Sequence, residues 1–130
     1  MKLNPDCIRD ILLTVENETN FNNYLEYEKS TYSKFKLLAK YNHDEIIYHI
    51  SQCDKSHLID DVEYYEVGDF IIIKDLSPEG HKFLADIRSD TVWKHVKNIS
   101  KDIGVSSLSA LTQIATGVVT TIIKSHLGLT

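Results

Sequence analysis

Ile46-Ile47-Tyr48-His49-Ile50, Leu58-Ile59, Val67-Gly68-Asp69, Phe70-Ile71-Ile72-Ile73 and Leu76-Ser77-Pro78-Glu79-Gly80 follow one another within one short stretch and decide the fold. The first group reads as helix and the second as the start of a strand. A turn at Val67-Gly68-Asp69 leads into a β-branched strand. Ser77-Pro78 then opens another helix, because serine caps a helix and proline suits its first position. A helix that feeds a hairpin and then a proline-started helix is the tail of a winged helix-turn-helix domain. The expected fold is α+β: a winged helix-turn-helix-like domain with a β-hairpin over residues 1–88, and a C-terminal helical extension over residues 89–130 packing on it. Winged helices usually touch nucleic acid or another protein and rarely do chemistry.

Outward from this stretch, the helix signals are clear. Asn4 can cap a first helix, with Pro5 at its first position and Asp6 complementing its dipole. Ile8, Ile11, Leu12 and Val15 fall on one face of it. Asn17 to Asn23 holds four asparagines without periodicity and reads as a loop. Tyr24 to Tyr27 and Phe35 to Leu38 read as two short strands. Asn42 can cap the next helix, whose apolar stripe is Ile46, Ile50, Cys53 and His57, flanked by Ile47. Phe83, Leu84 and Ile87 follow on the helix after Pro78. Ser89 caps another, with Val92, Val96, Ile99 and Ile103 as its buried face and Gly104 as its stop. Ser106 or Ser107 caps a last helix to about His126. The expected core is Ile8, Ile11, Leu12, Val15, Ile46, Ile50, Cys53, Leu76, Phe83, Leu84 and Ile87.

The 130 residues suffice for one domain, and 42% hydrophobic with 25% charged residues is ordinary for a globular chain. Two cysteines, Cys7 and Cys53, make neither a disulfide framework nor a zinc pattern, which suits a reducing cytosol. Met1-Lys2-Leu3-Asn4-Pro5-Asp6 runs straight into an amphipathic helix, so no leader is expected and the location is expected to be cytoplasmic. The net charge of −5 is unevenly spread: residues 1–70 hold 14 acidic and 7 basic side chains, residues 71–130 hold 5 and 7. An acidic first half is a poor surface for phosphates.

Met1 to Leu12, Glu45-Ile46-Ile47-Tyr48-His49-Ile50, Leu58-Ile59, Asp75 to Ala85 and Val92-Trp93-Lys94 resemble a family of uncharacterised bacterial and prophage proteins, domain of unknown function 2513. These pieces span nearly the whole chain, and Leu76-Ser77-Pro78-Glu79-Gly80-His81-Lys82-Phe83-Leu84 is the most specific of them. The family tends to place glycine before Leu-Ile where this chain has His57, which puts the tight helix-to-strand turn in question. The resemblance implies a winged-helix-like fold and a mobile-element origin. It implies no activity and no functional residues.

Candidate chemistry is sparse. His49, Cys53 and His57 stand four apart on one expected helix, a spacing that can offer metal ligands. Cys53 and His57 share the apolar stripe, however, where a thiol behaves as a small hydrophobe, and nothing marks a fourth ligand. No metal and no cofactor are therefore expected. A Cys53–His49 nucleophile pair lacks a third group and an oxyanion turn. The five glycines are scattered, which excludes a P-loop or dinucleotide fingerprint. The carboxylates sit in polar stretches suited to solvent rather than acid–base work. The chain is expected not to be an enzyme.

Fold analogy favours DNA and charge opposes it. The expected recognition helix offers Asp44, Glu45, Ser51, Gln52 and Asp54 with one base, Lys55. Asp60, Asp61, Glu63, Glu66 and Asp69 make the expected wing acidic; the plain reading is a solvated face, the functional ones a protein-binding surface that includes Tyr65 and, less often, an acidic surface that mimics nucleic acid. Lys94, Lys97 and Lys101 form a modest basic row that could meet phosphate, but three lysines are usually just a wet helix face.

From Ile103 to Ile123 no residue is charged, yet eight of these 21 are Ser, Thr or Gln. The apolar positions Leu108, Leu111, Ala115, Val118 and Ile122 step by three and four, widened by Ile114, Val119 and Ile123. That pattern argues against a membrane span and for a helix buried on its own domain, on a partner, or on both. The expected function is a non-enzymatic protein-interaction module, one form of which is a phage inhibitor of a host defence factor. Its partner, a host protein or a second copy in a homodimer, would meet the acidic hairpin (Asp60, Asp61, Glu63, Tyr65, Glu66, Asp69) or the last helix (Leu111, Val118, Val119, Ile122, Ile123). The alternative is a winged-helix DNA-binding regulator using Lys94, Lys97 and Lys101.

Overall fold

The computed structural model describes residues 1–105 and 107–129 and is α+β, with five α-helices and two small antiparallel sheets among those residues. The helices are α1 Pro5–Glu18, α2 His43–Lys55, α3 Pro78–Ile87, α4 Asp90–Ile103 and α5 Leu108–His126. The strands are β1 Leu25–Glu28, β2 Ile59–Asp60, β3 Glu63–Tyr65, β4 Phe70–Ile73 and β5 Asp75–Leu76. The chain divides into two compact units, Met1–His81 and Lys82–Thr130.

In the first unit the caps form as the residue types dictate. Asn4 Oδ1 accepts from Asp6 N–H at 3.1 Å, and Asn42 Oδ1 accepts from Glu45 N–H at 2.8 Å. The apolar face of α1 (Cys7, Ile8, Ile11, Leu12, Val15) packs on α2, which buries Ile46, His49, Ile50 and Cys53. One sheet has the order β1-β4-β3, with Leu25 opposite Ile73 and Tyr65 opposite Phe70; the other pairs Ile59 with Leu76 and Asp60 with Asp75. β4 is thus the central strand, which explains why it is the most β-branched segment of the chain.

The expected strand over Tyr24–Tyr27 appears as β1, one residue later. The one expected over Phe35–Leu38 does not form. A 3-10 turn at Tyr32–Lys34 runs into further turns there, with Leu38 N–H donating to the Phe35 carbonyl at 2.9 Å. Phe35 and Leu38 are both buried and three residues apart, a helical spacing that strand alternation could not bury together.

The helix-to-strand turn forms with His57 in it, in the left-handed conformation (φ 58°) that glycine adopts without penalty. α2 stops at Lys55, so His57 is not on the helical stripe but beyond its end, exposed. Replacing His57 with glycine should therefore stabilise the chain by about 0.5–1 kcal/mol, left-handed strain relieved outweighing glycine's extra unfolded-state entropy. Urea titration checks this; a lowered midpoint would mean that the imidazole contributes something the backbone argument omits.

The same turn is locked to α3. The Ser77 hydroxyl donates to the His57 carbonyl at 2.5 Å and accepts from Gly80 N–H at 2.9 Å, while Ser77 N–H donates to the Leu58 carbonyl at 3.0 Å. Gly80 lies so close to Leu58 that an added Cβ would stand 1.9 Å from its carbonyl oxygen.

In the second unit Phe83, Leu84 and Ile87 of α3 are buried; the eight other residues expected in the core are buried in the first. α4 starts at a Ser89 cap and ends at Gly104 in the left-handed conformation (φ 74°), both as expected. Its buried face is rotated from the expected one: Trp93, Val96 and Ser100 are buried, Val92 and Ile99 half-buried, and Ile103 is 61% exposed. The Ser100 hydroxyl turns inward to donate to the Val105 carbonyl, which a polarity-based reading of the face could not anticipate. α5 is capped by Ser107, whose hydroxyl accepts from Ala110 N–H at 3.1 Å; the other expected cap, Ser106, lies outside the described residues.

Candidate functional site

The acidic hairpin is less uniform in space than in sequence. Asp60 and Asp61 sit at the β2 end, exposed, and Lys74 reaches Asp61 at 3.5 Å. Glu63 and Tyr65 are exposed on the edge strand β3, where the Tyr65 hydroxyl donates to Glu63 Oε2 at 2.7 Å. That hydrogen bond, followed by the carboxylate's charge, raises the Tyr65 hydroxyl above its ordinary range. Glu66, Val67 and Gly68 all have positive φ, and Val67 is fully solvent-exposed at the tip. Asp69 turns one carboxylate oxygen to His43 while its side chain stays 45% exposed.

Asp69 Oδ1 lies 3.1 Å from His43 Nε2, and His43 Nδ1 lies 2.7 Å from the Tyr27 hydroxyl. A carboxylate only accepts, so Nε2 carries the hydrogen and Nδ1 accepts from Tyr27. The Tyr27 and His43 rings stack with centroids 5.6 Å apart, and Tyr32 packs beside them. Carboxylate, imidazole and hydroxyl stand in the order of a nucleophile triad. Yet Tyr27 is completely buried, and burial followed by the neighbouring Tyr32 and Asp69 pushes its hydroxyl well above its usual range. A depression of about 430 Å³ lined by Glu28, Lys29, Ser30, Glu66, Asp69 and Phe70 touches Asp69 but has neither His43 nor Tyr27 in its lining. The relay ties β1, the first residue of α2 and the β3–β4 turn together. Sequence reasoning missed it because no spacing rule links positions 27, 43 and 69.

His49, Cys53 and His57 are not brought together as ligands. Asn4 N–H donates to His49 Nε2 at 2.7 Å, so Nδ1 carries the hydrogen and donates to the Glu45 carbonyl at 2.7 Å, leaving neither nitrogen open. Cys53 is buried, and burial raises its thiol far above the reactive range; Cys7, buried likewise and near Glu45 and Asp10, is pushed up to about 12. Among the described residues no group of three or more His, Cys, Asp or Glu could hold a metal ion.

The second unit exposes large apolar side chains of its own, at Ile103, Val105, Ile122, Ile123, Leu127 and Leu129. With α4 ending at Ile103 and α5 starting at Leu108, the link allows only antiparallel neighbours, and the two helices pack as a hairpin. Of the stepped positions on α5, Leu108, Leu111 and Ala115 are buried, Val118 and Val119 half-buried, and Ile122 and Ile123 are 39% and 52% exposed. Leu127 and Leu129 beyond them are exposed as well. A groove of about 460 Å³ runs between the helices, lined by His95, Ile99, Ile114, Gly117, Val118 and Ile122 among others. Lys94 and Lys101 are exposed on a different face of α4, and Lys97 lies with its Nζ 5.6 Å from the Trp93 ring centroid. No helix among the described residues is long and apolar enough to cross a membrane.

Comparison with known proteins adds kinship without a chemistry. The model of the family described as hypothetical protein DUF2513 matches residues 2–106. A Haemophilus influenzae protein described as an uncharacterized protein is 30% identical over 117 residues, covering 88% of this chain and 92% of that protein. No solved structure matches.

Proposed function

We propose that this chain, which belongs to the DUF2513 family of hypothetical proteins, is a non-enzymatic protein-interaction module that associates through the apolar end of α5. The observation that carries this reading is the exposure of Ile122, Ile123, Leu127 and Leu129 at the end of a helix whose charged side chains amount to Lys124 and, when protonated, His126. Apolar side chains gathered at one place, rather than scattered, mark a surface meant to be covered. The acidic hairpin is the weaker contact surface, because Asp61 and Asp69 already face Lys74 and His43. Catalysis is disfavoured by the same economy: the Asp69–His43–Tyr27 array ends on a buried tyrosine.

A winged-helix-like arrangement is supported by α2 leading into the β3–β4 hairpin and by β1 returning to pair with β4. A helix-turn-helix needs two helices, and only the 3-10 turn Tyr32–Lys34 precedes α2 at that place. With Asp44, Glu45 and Asp54 on α2 and an acidic hairpin behind it, DNA is the less favoured partner. A prophage protein that engages a host factor remains consistent with an apolar docking helix.

Replacing Ile122 with lysine tests the reading. The stability of the isolated chain, read where the wild type is unassociated, should stay within about 0.5 kcal/mol of the wild type, since the residue is partly exposed. Association, followed both by sedimentation of the chain alone and by capture of a protein that rebinds once purified, should be abolished at salt concentrations that leave the wild-type complex intact. A wild type that binds no protein, or that holds a defined DNA duplex at nanomolar affinity, would end this reading.

A further inference from the structure

Three surfaces compete for a partner: the acidic β3–β4 turn, the depression beside Asp69, and the α4–α5 groove. The first two offer mostly carboxylates, beside Lys29, Ser30, Tyr65 and Phe70, and nothing in their arrangement specifies an occupant. The groove has a geometry that specifies its occupant. Its central residue is Gly117, the midpoint of the 19-residue helix α5, and a Cβ added there would meet nothing within 4 Å. Groove-lining positions on α4, His95 and Ile99, are followed on the same face by exposed Asp102, three residues after Ile99, and by exposed Ile103. On α5 the face of Gly117 and Thr121 continues to exposed Lys124.

These positions are matched to one another under a two-fold axis. At a rise of 1.5 Å per residue, Lys124 stands about 10 Å from Gly117 toward the end of α5. Asp102, near the opposite end of the hairpin, stands at about the same distance on the other side. An antiparallel copy of α5 laid in the groove therefore sets Lys124 of each chain beside Asp102 of the other, and Ile122 beside exposed Ile103. Gly117 meets its own copy at the axis, where a missing side chain permits the closest approach of two helices. Because a two-fold contact uses one patch twice, a single acidic rim and a single basic rim complete both sides.

Resting on the interaction reading above, we infer that the occupant of the α4–α5 groove is a second copy of this chain, forming an antiparallel four-helix seam centred on Gly117. The experiment uses the full chain in analytical ultracentrifugation beside thermal melting. Wild type should sediment as a dimer. Gly117→Leu fills open space in the protomer, so it should melt no lower than the protomer alone and sediment as a monomer. Asp102→Lys should raise the dimer Kd about tenfold, and the double variant Asp102→Lys with Lys124→Asp should restore it. A monomeric wild type overturns the proposal; if that monomer still captures another protein through Ile122, the broader interaction reading survives, and if it captures none both fail. A wild-type dimer that Gly117→Leu leaves intact places the interface elsewhere and also overturns the proposal. Should Gly117→Leu fail to fold, the charge swap decides alone, failure to restore the dimer counting against it.

Discussion

Gly80→Ala should cost about 3 kcal/mol or more, a loss out of proportion to one methyl group. The new Cβ would lie 1.9 Å from the Leu58 carbonyl oxygen, and both partners are backbone, so no side chain can rotate aside. Either the start of α3 or the turn after α2 must shift by more than an ångström. Any such shift also stretches the two hydrogen bonds of the Ser77 hydroxyl and the β2–β5 pairing of Ile59 with Leu76. The effect is cooperative because one short segment carries a helix start, a strand end and a turn. Chemical denaturation of the variant measures it, with Gly117→Ala as control at a concentration where the chain is monomeric, since a Cβ there meets nothing within its own chain and alanine is the better helix former. If both variants denature at the wild-type midpoint, Gly80 does not serve close approach and Leu58 has room to give.

How far the fold was legible depended on whether each signal was local. Asn4-Pro5, Asn42, Ser77-Pro78, Ser89 and Gly104 act on their own helix ends, and all the expected ends formed there. Phe35–Leu38 failed as a strand because two apolar residues three apart read equally well as one helical turn. The Tyr27–His43–Asp69 relay was invisible, its members being 16 and 26 residues apart with no shared period. His49 has the spacing of a metal ligand and instead accepts from Asn4, 45 residues away, a pairing that only the packing of α1 on α2 creates. The apolar stripe of α5 was legible as a stripe, but periodicity cannot say how far along a helix its neighbour reaches. α4 is five residues shorter than α5, and burial along that stripe fades after Ala115.

Phe83→Ala should lower stability by about 3–5 kcal/mol, whereas the same change at Phe21 should be close to neutral. The chemistry removed is identical; the surroundings are not, since Phe83 is 3% exposed and Phe21 96%. For a buried phenyl the loss combines transfer to water with a cavity that neighbours only partly fill. At Phe21, on the Asn20–Asn23 turn, neither term exists, because the ring is already in water. The pair also bears on how the chain divides. A domain of this size has a total stability of about 5–15 kcal/mol, so the Phe83 loss could consume much of it and should lower the melting temperature by on the order of 10–20 °C. If the two compact units melt as one, both far-ultraviolet and tyrosine signals should shift together in Phe83→Ala. If they melt separately, the helical signal of the second unit should fall first while the tyrosines of the first unit, Tyr27 among them, report an unchanged transition. Equal melting temperatures for Phe83→Ala and wild type would show that the buried face of α3 holds nothing together, and with it would go the assignment of Leu84 and Ile87 to a stabilising core.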